Sequence, residues 1–130
     1  MILAKKLHPK LAEPKGRAAR IAEIIDEMKG EQIVVLDMGL VCDFTDAFVI
    51  ATLRSSTHMK ATVQTLLRKL REEGLRPLEQ PSGASERWML IDFSDVIVHL
   101  FDRQTREFYD LESLWGDAAR IAWQEALRAS

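Results

Sequence analysis

Ala18, Ile21, Ala22, Ile25 and Met28 recur at the spacing of one helical face, with Arg17, Arg20, Glu23, Asp26 and Glu27 on the other side. Residues Gly16–Met28 are therefore predicted to form an amphipathic helix that Gly30 closes. Ile33–Met38 is a short β-branched run ending at Gly39, and Ala47–Leu53 is a second continuous apolar run. Both have the character of interior strands. Between them Asp43, Thr45 and Asp46 can bond their own backbone and shape the connection. Ser55, Ser56 and Thr57 then offer N-cap oxygens to a helix whose apolar face runs through Met59, Val63, Leu66, Leu67 and Leu70 to a Gly74 stop.

The prolines and small residues of Arg76–Ser85 predict a surface connection. Two strand-like runs follow, Trp88–Phe93 and Val96–Phe101, separated only by Ser94-Asp95, which is hairpin spacing. Phe108-Tyr109 is read as a further short strand, and Asp117–Ala129 as a terminal helix. Adjacent hairpin strands are antiparallel while a crossover helix favours parallel pairing, so the order of elements predicts an α/β fold. It is a single domain with a mixed β-sheet flanked by helices. The expected organisation is a flexible tail over 1–14, the domain proper over 15–116 and a helical extension over 117–130.

A chain of 130 residues, 47% hydrophobic, can build one core without metal or disulfide staples. Cys42 is the single cysteine, and no apolar run reaches membrane-spanning length or makes a signal peptide. A soluble, cytoplasmic protein with no membrane partner is the expectation. The net charge of −2 is unevenly distributed: Met1–Gly30 holds seven Lys or Arg against four acids, and Glu86–Asp117 holds eight acids against three arginines. Nucleic-acid binders cluster positive charge, so no direct specific nucleic-acid binding is expected. Near RNA, the surface met by the acidic segment would be a basic protein.

The chain offers little for bond chemistry. Of the three histidines, His8 lies in the tail, His58 in the first turns of a helix and His99 on a strand, and neither H-x-x-x-H nor C-x-x-C spacing occurs. His99 is read either as a polar sheet residue or as part of a binding surface, and Cys42 as a loop or core residue. The passage from strand to hydroxyl residues to helix at Leu53–Ser56 has the outline of an anion site. It lacks the glycines for close backbone approach, and no D-x-D pair follows to hold magnesium. Asp92 and Asp95 straddle a presumed turn, a spacing that turn chemistry explains. No catalytic residue, metal or cofactor is expected, and the protein is read as non-enzymatic. Trp88 at a strand start and Tyr109 beyond the next connection are either packing residues or interface anchors, since both bury much area and carry a polar handle. Asp92, Asp95, Asp110 and Glu112 are either a solvated face or the polar part of the same surface. Trp115 and Trp123 are read as packing residues.

Several blocks, in order, resemble the iojap, or ribosomal silencing factor, family from about Arg17 to Trp115. They are Leu36-Asp37, Thr45-Asp46, Val49–Thr52, Ser55–His58, Gly74–Leu78, Trp88–Asp92, Asp95–His99 and Tyr109–Trp115. The most specific are the last three, which read W-x-x-x-D, D-V-I-V-H and Y-x-L-E-x-L-W. The resemblance implies a nucleotidyltransferase-like fold without catalytic residues, which accords with the lack of a catalytic or metal-binding motif in the sequence. It also implies binding to the large ribosomal subunit through large-subunit ribosomal protein fourteen, steric block of subunit association, and repression of translation under nutrient limitation. Trp88 and Tyr109 fall at family positions implicated in that contact; Asp92, Asp95, His99, Asp110 and Glu112 complete the expected partner-binding set. A homodimer is possible. The alternative is a nucleotide-binding or nucleotidyl-transferring enzyme of the same fold, which calorimetry against nucleotides with magnesium separates from the first reading. Two departures stand out: Thr52-Leu53 where the family often has Thr-Gly, and Ser94-Asp95 where it often has Gly-Asp.

Overall fold

A computed structural model describes Leu7, residues 9–85 and residues 87–128. The first helix, α1 (Pro14–Glu27), starts two residues before the expected point because Pro14 stands at its N-terminus, where a missing N–H is harmless. It buries Ala18, Ala19, Ile21, Ala22, Ile24 and Ile25, and each buried isoleucine contributes roughly 2 kcal/mol relative to an exposed one. Lys29, at φ 67°, makes the left-handed exit from the helix. Gly30 is required for a different reason: a Cβ there would stand 2.3 Å from Ile25 Cγ2. Pro9–Leu11 forms a 3-10 turn whose Leu11 is fully buried in the core. The expected loose tail therefore contributes a core residue at its end, while residues 1–6 and His8 lie outside the described part.

The strands are β1 (Glu31–Asp37), β2 (Ala47–Thr52), β3 (Ser82–Ser85), β4 (Trp88–Asp92), β5 (Val96–Phe101) and β6 (Ala119–Ile121). They form one mixed sheet in the order β3-β4-β5-β2-β1-β6, with β2 and β5 parallel and every other neighbour antiparallel. The α/β fold with a mixed sheet is thus as the sequence predicted. Helix α2 (Ser56–Glu72) makes the crossover, capped by Ser55 Oγ, which accepts the His58 N–H at 3.0 Å. Gly74, at φ 93°, ends it.

Period-two alternation divides the sheet into two unlike faces. Val35, Val49, Ala51, Ile91, Val98 and Leu100 point toward α1 and α2 and build the main core with them. Leu36, Phe48, Ile50 and Phe101 point the other way and form a smaller cluster, partly covered by Val41, Trp88, Leu111 and Trp115. Arg20 binds the two helices together, its guanidinium donating to both carboxylate oxygens of Glu73 at 2.9 and 2.7 Å. The hydrogen bonds to Glu73 raise its pKa further, against the opposing effect of burial.

Three local expectations are corrected. Phe108-Tyr109 is not a strand but the end of α3 (Arg103–Tyr109), because Asp102 Oδ1 accepts the Thr105 N–H at 2.8 Å and nucleates a helix. Desolvation works against ionising Asp102, yet its pKa lies below the usual carboxylate value because Thr105 and Arg87 outweigh that cost. Ser82–Ser85 is not a loop but the edge strand β3 on β4. Asp117–Ala129 is not one helix: Ala119–Ile121 pairs with the free edge of β1, and only Trp123–Arg128 forms helix α5, which lies against α1. An available sheet edge outcompetes helical periodicity there.

Candidate functional site

The face of the sheet turned away from α1 and α2 carries most of the residues singled out from sequence. Cross-strand pairing places Trp88 opposite Phe101, Leu90 opposite His99 and Asp92 opposite Ile97 on this face. The Trp88 ring stacks on Phe101 at a centroid distance of 5.0 Å and meets Tyr109 at 4.7 Å. Tyr109 reaches it from the end of α3 and is 48% exposed. The two aromatics are therefore brought together, Trp88 mostly covered and Tyr109 half exposed.

His99 does not reach the surface. It is 5% exposed, lies edge-on to Phe48 at 4.6 Å, and accepts the Trp88 indole N–H on Nδ1 at 3.2 Å. With Nδ1 accepting, Nε2 holds the ring proton and is buried with no hydrogen-bond partner among the described residues. Burial lowers its pKa from 6.5 to about 4, so the ring is neutral near pH 7. His99 is therefore placed to orient the Trp88 ring and is too buried to touch a partner itself.

The acids divide in the same way. Asp95 is ion-paired with Arg17 of α1, and its carbonyl accepts the N–H groups of Asp46 and Ala47. Glu112, on the short helix α4 (Leu111–Leu114), accepts from Arg106 at 2.9 Å and lies 3.5 Å from Arg120. Both carboxylates are engaged inside the molecule. Asp92 accepts the Ser94 N–H at 2.7 Å in the hairpin turn, where Ser94 holds φ 78° in the region that favours glycine. Asp110 is exposed at the left-handed junction of α3 and α4, φ 45°.

Sequence reasoning missed two features. Arg106 is 8% exposed and donates through Nη1 to the Gln32 carbonyl at 2.7 Å and Thr52 Oγ1 at 2.9 Å, tying α3 to the sheet. Gln32 can offer that carbonyl because a bulge turns it to φ 47°. The hint in the sequence was that Arg106 is one of only three arginines in the acidic Glu86–Asp117 segment. The second feature is apolar exposure: Leu40 is 100%, Phe108 79%, Leu114 69% and Phe44 54% exposed. An open depression of about 520 Å³ beside the site is lined by Arg87, Gln104, Thr105, Glu107, Phe108 and Tyr109.

The supposed anion outline before α2 is filled by the chain itself. Arg54 N–H donates to His58 Nδ1 at 3.0 Å, and His58 Nε2 donates to the Met28 carbonyl at 2.6 Å, joining the end of α1 to the start of α2. Among the described residues no group of three His, Cys, Asp or Glu side chains is placed to hold a metal ion. No helix there is long and apolar enough to cross a membrane.

With this geometry in place, the comparisons with known proteins are specific. The sequence model of the family described as "Ribosomal silencing factor during starvation" matches residues 11–130. A protein of Halalkalibacterium halodurans named ribosomal silencing factor RsfS is 35% identical over 97 residues, covering 75% of this chain and 83% of that one. A Bacillus subtilis protein of the same name is 33% identical over 97 residues, covering 75% and 82%. A crystal structure of a Chromobacterium violaceum protein superposes with a TM-score of 0.71 at 31% identity, covering 77% of this chain and 84% of that one.

Proposed function

The chain belongs to the ribosomal silencing factor family, and from that premise we propose that it binds the large ribosomal subunit through large-subunit ribosomal protein fourteen and blocks subunit joining by volume. The protein represses translation under nutrient limitation without making or breaking a bond. The observation that carries this reading is the Trp88–Tyr109 pair, held on the open face of the sheet with the indole fixed by His99. A rigid aromatic pair at the centre of a surface loses little conformational freedom on docking, which is what a hot spot needs. Asp92 and Asp110 stand with it as acids suited to a basic ribosomal surface. Asp95, Glu112 and His99 support the face from within.

Steric silencing asks only for affinity and position. The test is co-sedimentation of the protein with purified large subunits, followed by addition of small subunits. Saturating protein is expected to prevent pairing of the subunits. Trp88→Ala and Tyr109→Ala are each expected to weaken binding by about 2 kcal/mol or more, roughly thirtyfold in Kd. Tyr109 is the cleaner probe because it is half exposed. Wild-type affinity in a folded Tyr109→Ala variant rejects this assignment of the contact, and subunit pairing at full occupancy rejects the mechanism.

A further inference from the structure

A chain of aromatic contacts continues past Trp88 beneath the surface. Ring contacts run from Trp88 to His99 at 6.0 Å, from His99 to Phe48 at 4.6 Å, and from Phe48 to both Phe44 and Trp115 at 6.2 and 6.0 Å. Phe44 also meets Trp115 edge-on at 6.0 Å. At this far end the side chains open to solvent again: Phe44 is 54% exposed, Leu114 beside Trp115 is 69% exposed, and Leu40 in the β1–β2 loop is wholly exposed.

That loop is held in one shape. Met38 N–H donates to the Asp46 carbonyl at 2.8 Å, and Val41 and Cys42 N–H groups donate to the Met38 carbonyl at 3.1 and 3.0 Å. Asp46 N–H donates to the Asp95 carbonyl at 3.0 Å, which fastens the loop to the hairpin turn. An apolar side chain displayed on such a frame keeps its ordering cost low when it docks.

Charge selects the occupant. From Ile33 to Leu53 the chain carries Asp37, Asp43 and Asp46 and no Lys or Arg, and from Glu107 to Ala119 it carries Glu107, Asp110 and Asp117 beside Glu112, whose charge Arg106 and Arg120 already meet. Two-fold self-association through this end would bring like charges toward one another, whereas a basic protein surface complements them.

We propose that Phe44 and Leu40 form a second anchor of the ribosomal contact, seated in an apolar recess of a basic protein surface while Trp88 and Tyr109 occupy the first. This inference rests on the preceding reading of the function. It extends the footprint from the edge of β4 across the sheet to the β1–β2 loop, so affinity comes from two separated apolar points within one acidic frame.

The experiment compares Leu40→Ser, Phe44→Ser and Tyr109→Ala in the full chain, measuring affinity for purified large subunits, melting temperature and self-association by sedimentation velocity. Leu40→Ser is expected to weaken large-subunit binding tenfold or more with an unchanged melting temperature, because the side chain touches no core. Phe44→Ser is expected to do the same with a small loss of thermal stability; if it melts early, Leu40→Ser alone decides. Wild-type affinity for Leu40→Ser beside loss of binding in Tyr109→Ala overturns the second anchor and leaves the functional reading standing. Wild-type affinity in all three variants overturns both. Weakened self-association with unchanged large-subunit affinity identifies a second copy of the chain as the occupant, and likewise overturns the proposal.

Discussion

His99 shows how one residue can shape a surface it never reaches. Its Nδ1 fixes the Trp88 indole, and its burial forces the neutral ring, with a pKa of about 4 in place of 6.5. Between those two values the unfolded chain binds a proton that the folded chain refuses, so stability falls as pH drops through this window and is fully present above it. The loss is expected to be on the order of 3 kcal/mol from this residue, read as the change in unfolding free energy between pH 7 and pH 4 by chemical denaturation. His99→Gln, which keeps an acceptor for the indole, is expected to flatten the profile; an unaltered profile in that variant refutes the assignment to His99. The sequence placed His99 on a strand near Trp88 but could not say which way either ring turned. That depends on the pairing of β4 with β5, which sets Trp88 opposite Phe101 and Leu90 opposite His99.

Among the elements, α3 decides whether the site exists, because it carries Tyr109 to Trp88. It has only seven residues, too short to hold its own helical shape, and is anchored by the Asp102 cap and by Arg106. Arg106 joins three elements: Gln32 in β1, Thr52 in β2 and Glu112 in α4. Arg106→Met would remove the charge and leave Glu112 with only the longer Arg120 contact, and the Gln32 carbonyl without its donor. The expected cost is about 3 kcal/mol of stability, in the manner of a broken buried ion pair, measured by denaturant titration. Glu112→Gln/Arg106→Met is expected to be milder than the sum of the single changes, because the two residues share one interaction. The mistaken strand at Phe108-Tyr109 has the same origin. Two adjacent aromatics have the composition of a strand, and the Asp102 and Arg106 contacts that make them helical are visible only once Gln32, Thr52 and Glu112 are beside them.

The molecule as a whole is two-faced: one side of the sheet is closed by α1 and α2, and the other is left partly open with aromatics and acids. Asp110 and Asp43 are exposed carboxylates outside the internal ion pairs, and in the proposed contact they would act at long range on a basic target. The association rate with large subunits is therefore expected to fall as ionic strength rises above about 0.1 M, where the screening length is roughly 10 Å and shrinking. The dissociation rate should change much less, since the apolar anchors control it. A salt-insensitive association rate, measured by stopped-flow mixing, contradicts a steering role for the acids. Asp95 and Glu112 belong to this electrostatic surface less than the sequence implied, because Arg17 and Arg106 already hold their carboxylates.

Much of the protein was legible in the order of its residues. Periodicity marked α1, α2, the β4–β5 hairpin and the strands β1 and β2, since each has a local cause: an apolar face, a capping serine, a two-residue turn, a glycine exit. The motif blocks from Trp88 to Trp115 identified the family and the aromatic centre. Three things were settled only by packing in three dimensions. A free edge on β1 turned Ala119–Ile121 into strand rather than helix; a buried arginine fixed α3; and pairing across β4 and β5 drew His99 beneath Trp88. Each rests on partners distant along the chain, and such contacts leave no periodic trace for local reading to find.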